Sequence, residues 1–356
     1  MNLNNSTDNN AKENQQMKRM KFKSVITYFL IGAVLFGLHS LIAAEPVDRT
    51  MCVFDPSGTH GDVFKAGQRY QAQALSWGVR VELKAYTDEV VANSDFKAGK
   101  CHLAFLTSLR VRGYVPQSGS IEAIGALPGY DLLHRTIEVL ANPKARKLNV
   151  DGDYETMAMF PGGAVYLLLR DKNLKDIKDL AGKKIATLTY DQAATTMVDI
   201  VGASMVPAEI ATFAGIFNNG RADACYSPAI GIKPLELMKG ISPNGGIVRF
   251  PIGQLTFQIV GRHKDFPEGY GNTSRAWAST QFESMLTLTK KAEKEIPAKF
   301  WLEVPKDQQI GYFEKFREVR TKLRDKKVYH PAILKLMKGV RCKADPVAKE
   351  CSDDLE

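Results

Sequence analysis

The chain has 356 residues, 44% hydrophobic and 24% charged, with a formal net charge of +9. Its apolar residues reach membrane-spanning density only between Val25 and Ala44, and a lone N-terminal segment cannot build a multi-helix transporter. The five Cys and six His have no zinc-knuckle, CxxC or HExxH spacing, so neither a metal nor another cofactor is expected.

Lys18, Arg19, Lys21 and Lys23 precede an apolar run from Val25 to Leu38, and Leu41-Ile42-Ala43-Ala44 leads into Glu45-Pro46. This is the pattern of an export signal over 1–44 with cleavage after Ala44, leaving a soluble protein in an oxidising periplasm. The alternative is a single membrane anchor, although His39 and Ser40 interrupt the span. The roughly 310 residues that follow exceed one comfortable core and suggest two domains.

Thr50 to Phe54 reads as a first strand, followed by the Gly-rich turn 55–61 and a helix from about Asp62 to Trp77. Val79 to Tyr86 is a strand, Asp88 to Phe96 a helix, and Leu103 to Leu106 and Ile121 to Leu127 further strands. This βαβαβ order belongs to a doubly wound sheet. Met157 to Leu169 is an extended stretch broken at Pro161-Gly162-Gly163. A second unit follows: strand Ile185 to Leu188, loop Thr189-Tyr190-Asp191, and a helix from about Gln192 to Val201. Strand, break and strand recur over Ile247 to Phe250, Pro251 and Leu255 to Val260.

The expected fold is therefore α/β and two-lobed, of the type II periplasmic-binding-protein kind: two doubly wound sheets joined by a hinge, with C-terminal helices. Its parts are lobe I over 45–160, lobe II over 161–250, a return through lobe I and helices over 251–340, and a Cys-containing tail over 341–356. The hinge falls at Pro161, Gly162, Gly163, Pro251 and Gly253.

Each lobe contains the same handover, a helix ending at Gly and then a cation before a buried strand: Phe96-Lys97-Ala98-Gly99-Lys100-Cys101 and Phe217-Asn218-Asn219-Gly220-Arg221-Ala222-Asp223-Ala224. Cys342 and Cys351 flank Pro346 and are expected to form a bridge. Cys52 and Cys101 could join neighbouring strands, with Cys225 left as a buried small hydrophobe. The basic run from Lys315 to Lys327 reads as a solvated helix face, and without a nucleic-acid motif no such partner is expected.

Asp179-Leu180-Ala181-Gly182-Lys183-Lys184-Ile185, Ile200-Val201-Gly202-Ala203-Ser204-Met205-Val206-Pro207 and Phe217 to Ala224 together resemble the second lobe of TRAP-transporter solute-binding proteins. Cys52-Val53-Phe54-Asp55-Pro56-Ser57-Gly58, Phe96 to Cys101, Gly246-Ile247-Val248-Arg249-Phe250-Pro251 and Val340-Arg341-Cys342-Lys343 are more similar to the AdeT family of solute-binding proteins. The resemblance implies an extracytoplasmic receptor that captures a small polar ligand between its lobes and delivers it to TRAP-like membrane subunits. AdeT-like proteins have also been linked to RND-type efflux and aminoglycoside resistance, which implies an alternative role as an efflux accessory. TRAP receptors place a carboxylate-binding Arg where this chain has Ala186 or Thr187, so Arg170, Arg110 or Arg112 would have to substitute.

Open α/β sheets bind ligands at the C-terminal ends of their strands. That rule makes Asp55, Thr59, Tyr86, Thr107, Ser108, Tyr166, Arg170, Thr189, Tyr190, Asp191, Tyr226 and Ser227 the candidate ligand contacts. An enzyme on the same fold would need Cys225 or Ser227 with His60 or His102 as nucleophile and base. No GxSxG elbow or local Cys-His signature supports one, and no catalytic residue is expected.

Overall fold

The computed structural model describes residues 45–174 and 176–356; the expected export signal lies outside them. The strands are β1 (Val47–Phe54), β2 (Val79–Tyr86), β3 (Leu103–Thr107), β4 (Val150–Asp151), β5 (Tyr154–Leu169), β6 (Lys184–Leu188), β7 (Ser204–Ala208), β8 (Ala224–Pro228), β9 (Gly246–Val248), β10 (Gly253–Arg262) and β11 (Trp301–Leu302). Hydrogen bonds order them β2-β1-β3-β10-β5-β8-β6-β7. The outer pairs are parallel, whereas β10 and β5 run antiparallel to their neighbours. Two parallel βαβ wings thus share two long central strands. Each wing carries helices: α1 (Asp62–Leu75) and α2 (Glu89–Lys97) in the first, α4 (Gln192–Ile200) and α5 (Ile210–Asn218) in the second. Helix α3 (Tyr130–Ala141) lies between them in sequence, and α6 (Tyr270–Thr280), α7 (Phe282–Glu295), α8 (Lys306–Asp325) and α9 (Pro331–Ala344) follow β10.

The two-lobed α/β fold is as expected, although the two expected sheets are one, continuous through β10 and β5, and the Gly handovers explain part of it. Gly99 and Gly220 both have left-handed backbones, φ +77 and +75, and end α2 and α5 just before β3 and β8. The Pro-Gly-Gly segment differs from expectation. It is no turn: β5 runs through it unbroken, and Gly162 is the extra residue of a bulge between the pairs Pro161–Thr256 and Gly163–Leu255. Gly163 has φ +108, and a Cβ there would stand 2.5 Å from Thr289. Pro251 precedes β10, and Ile252 N donates to Val165 O beside the bulge.

Ile121 to Leu127 is not a strand either. It is a short 3-10 turn followed by irregular backbone, buried beneath α3, α8 and α9 with Phe316 and Ile333. Its carbonyls find side chains instead of a ladder: Arg320 Nη1 donates to Ile124 O and Arg341 Nη1 to Ala126 O, at 2.9 and 2.8 Å. Satisfying buried carbonyls in this way is what lets an apolar segment stay irregular.

Arg317 and Arg320 correct the reading of the basic run as a solvated face in part, while Lys326 and Lys327 remain exposed. Segment 345–356 folds back so that Glu356, with its side chain 1% exposed, lies between Arg320 and Arg341. Asp353 pairs with Arg317, and Glu350 with Arg341. Cys342 and Cys351 are bridged, closing this tail onto α9, and Cys52 and Cys101 are bridged at the β1–β3 junction. Cys225 is a buried free thiol. Non-reducing peptide mapping should recover Cys342 and Cys351 linked, and Cys351→Ser should cost about 2–3 kcal/mol through the nine-residue separation. Free thiols at both positions would contradict the fold-back.

Candidate functional site

Each wing builds the same local device. After β1, Asp55 accepts from Ser57 N at 2.8 Å and, at the N-terminus of α1, from Val63 N at 2.9 Å and Phe64 N at 3.1 Å. A Cβ on Gly61 would fall 1.9 Å from that carboxylate, so only Gly lets the chain pass. After β6, Asp191 accepts from Ala193 N at 3.1 Å and Ala194 N at 2.9 Å, and from the Tyr226 hydroxyl at 3.0 Å. Both carboxylates are spent on helix N-termini.

Between these devices lies a cavity of about 400 Å³. Asp55, Glu89, Thr107 and Glu122 reach it from one wing, Tyr190, Asp191, Tyr226 and Ser227 from the other, and Pro161 and Gly253 from the crossing strands. Most of the wall is apolar, including Leu109, Ile124, Val165, Leu167, Ile185, Leu188, Met197, Val198, Val201, Phe213, Phe257 and Phe316. Six of the twelve candidate contacts therefore stand on one wall system.

The other six do not reach it. Thr59 is exposed in the first turn, and Thr189 is exposed with its hydroxyl donated to Glu209. Tyr86 donates to Asp95 on the edge of the first wing. Ser108 is buried behind the wall and donates to Glu122 Oε2 at 2.6 Å. The strand pleat decides Tyr166: Val165 and Leu167 face the cavity, so Tyr166 faces away, donating to Glu293 at 2.9 Å and packing edge-on against Trp301. Arg170 is turned to the C-terminus of α5, where it donates to Phe217 O and Asn218 O at 2.9 and 3.0 Å. It stabilises a helix end and cannot replace the family's carboxylate-binding Arg.

Arg110 comes closer to that role. Its guanidinium carbon sits 3.4 Å from the Tyr190 ring centroid, stacking one wing on the other. Its Nε lies 3.7 Å from Glu89. Arg110 Nε and Nη2 and the Tyr190 hydroxyl are buried without hydrogen-bond partners. Arg112 is committed, pairing with Glu122 at 2.9 Å. Burial pushes the Glu122 carboxyl up to about 7, despite the opposing pull of Arg112 and Ser108. Glu89 is likewise raised by burial, with Thr107 acting against it.

Sequence reasoning missed both carboxylates, which lie on a helix start and an irregular segment rather than after a strand. It missed the apolar wall for another reason: Met197, Val198 and Val201 have the spacing of any packed helix face.

Glu122 gives a pH test. Its folded pKa lies above its ordinary 4.5, so its contribution is fully present below that pH and lost as pH rises through about 7. Relative to Glu122→Gln, which cannot titrate, wild type should lose on the order of 3 kcal/mol between pH 4.5 and pH 8. Urea unfolding of both proteins across that range measures it. Parallel curves would mean that the carboxylate is ionised at both ends.

The catalytic alternative finds no geometry among the described residues. His102 Nδ1 accepts from Thr50 N, Ser227 donates to Pro228 O, and Cys225 is buried with its thiol pushed well up. Neither His60 nor His102 bonds to Cys225 or Ser227.

Two wings, a shared pair of long strands and a cavity between strand ends define a two-lobed solute-binding protein. The known proteins agree. The family described as "Solute-binding protein AdeT 1/2" matches residues 71–356, and the chain belongs to it. It is 36% identical over 300 residues to "Probable solute-binding protein AdeT1" of Acinetobacter baumannii, covering 84% of this chain and 99% of that one. AdeT2 of the same organism is 24% identical over 233 residues, 65% of this chain and 98% of that one. Among solved structures, the fold is similar to a TRAP periplasmic solute binding protein from Desulfovibrio desulfuricans with bound sn-glycerol-3-phosphate, with TM-score 0.68, 17% identity, and 83% and 97% of the two chains covered. It is equally similar to the periplasmic ectoine-binding protein of the TeaABC TRAP transporter of Halomonas elongata, with TM-score 0.68, 16% identity, and 83% and 99% covered. The chain is thus a ligand-capturing receptor by family, on a fold shared with these structures.

Proposed function

We propose that this receptor works in the periplasm after removal of residues 1–44, captures its ligand in the cavity between the wings, and hands it to TRAP-like membrane subunits. The observation that carries the reading is the cavity itself, walled from both wings and crossed by β5 and β10 beside the Gly162 bulge. A bulge in a shared strand lets the wings rotate without breaking the ladder, and closure strengthens hydrogen bonds inside by excluding water. The likeness to periplasmic solute-binding proteins supports the location. Nothing in the geometry favours an efflux accessory over a receptor.

A screen of small metabolites by thermal shift tests this. At least one compound should stabilise the protein by about 2.7 kcal/mol at a hundredfold excess over its dissociation constant. X-ray scattering should then show compaction on saturation. Hits that bind outside the cavity, without compaction, would favour a docking protein instead.

A further inference from the structure

Resting on that reading, we infer that the ligand is an amphipathic acyl chain: a long aliphatic body with one small oxygen-acceptor head. The body follows from the wall. Beyond the strand ends the cavity of about 400 Å³ continues among Ile185, Met197, Val198 and Val201 of the second wing and Phe316 of α8. A polar solute would leave its hydroxyls or ammonium groups unpaired against these side chains, at a cost of a lost hydrogen bond each. An aliphatic chain gains from every methylene it buries there.

The head follows from the unpartnered donors. The Tyr190 hydroxyl stands on the cavity wall, buried without a hydrogen-bond partner, and behind it Arg110 Nε and Nη2 also lack hydrogen bonds, with Glu89 3.7 Å from Nε. Donors in that state call for acceptor oxygens. The carboxylates that a polyamine or aminosugar would require are already engaged: Asp55 accepts three backbone N–H bonds, and Asp191 accepts two together with the Tyr226 hydroxyl. Glu122 is held by Arg112 and Ser108, and Glu89 accepts from Thr107 N and the Thr107 hydroxyl and faces Arg110. An acyl carboxylate therefore fits both ends of the cavity, and an aminoglycoside fits neither.

The test uses the full-length receptor after export, with octanoate, decanoate and dodecanoate below their micellar concentrations, and succinate and kanamycin as contrasts. Dodecanoate should raise the melting temperature saturably, and each added methylene should tighten binding roughly fourfold by calorimetry. Val201→Phe, which fills the apolar end, should weaken dodecanoate at least tenfold while leaving the ligand-free melting temperature unchanged or higher. Tyr190→Phe should weaken all three acids by a similar factor, because they share one head. A flat chain-length series, or dodecanoate without effect on wild type, overturns the inference, and neither reading depends on a variant that folds. If succinate or kanamycin stabilises and compacts the protein while dodecanoate does not, the acyl assignment fails and the receptor reading stands. If no compound in the wider metabolite screen binds, the receptor reading fails with it.

Discussion

Glu356→Ala should lower the unfolding free energy by about 3–5 kcal/mol, the range found when one partner of a buried ion pair is removed. The Glu356 side chain is 1% exposed and bridges Arg320 and Arg341, which are themselves 4% and 8% exposed. Arg320 Nε donates to Glu356 Oε1 at 2.6 Å, and Arg341 Nη2 to Glu356 Oε2 at 2.7 Å. Removing the carboxylate leaves two guanidinium groups close together, with only Glu350 to share. The damage travels, because the same arginines hold Ile124 O and Ala126 O, and Ile124 lines the cavity. Glu356→Gln should lie between, since it keeps a hydrogen-bond acceptor and loses the charge. Urea unfolding measures all three proteins, with Asp48→Ala as a control: its pair with Arg80 is exposed and should change stability by less than about 1 kcal/mol. Equal small losses at Glu356 and Asp48 would show that segment 345–356 does not dock on α8 and α9 in solution.

Asp191→Ala should cost about 2–4 kcal/mol in the ligand-free protein. Losing the cap on α4 accounts for about 1 kcal/mol, and leaving the buried Tyr226 hydroxyl without its acceptor adds about 1–3 kcal/mol. Asp191→Asn retains an acceptor oxygen and should recover more than half of the loss. This separates two roles that sequence position alone cannot. If Asp191 were held in reserve for a ligand ammonium, Asp191→Ala would leave the ligand-free melting temperature unchanged and abolish binding of a cationic compound. The hydrogen bonds require the opposite order of effects.

Much of the architecture was legible because it rests on local signals. The αL glycines at 99 and 220 mark helix ends, Val79–Tyr86 alternates as an edge strand, and Asp191 stands at the start of α4. What was illegible depended on distant partners. Ile121 to Leu127 has the apolar density of a strand, and only Arg320 and Arg341, some 200 residues on, make an irregular path satisfiable. Arg317 and Arg320 of α8 look solvated until the acidic segment 345–356 folds over them. At the site, the rule that ligands sit at strand ends picked Tyr190, Asp191, Tyr226 and Ser227, which line the cavity, and also Tyr166 and Arg170, which do not, because it ignores the pleat and the pull of a neighbouring helix C-terminus. The apolar wall is composed like any core; a cavity is a failure of side chains to meet, and no residue type encodes that.

The most direct test of ligand capture between the wings is hydrogen–deuterium exchange with the compound that gives the largest thermal shift. Protection should appear together in the segments after β1, after β6 and after β8, covering Asp55 to Phe64, Leu188 to Ala194 and Tyr226 to Gly231, all of which contribute to the cavity wall. Exchange should also slow at the β5–β10 crossing around Gly162 as the wings close. Protection confined to one wing, or falling on the outer helices while these three segments exchange as before, would contradict the account.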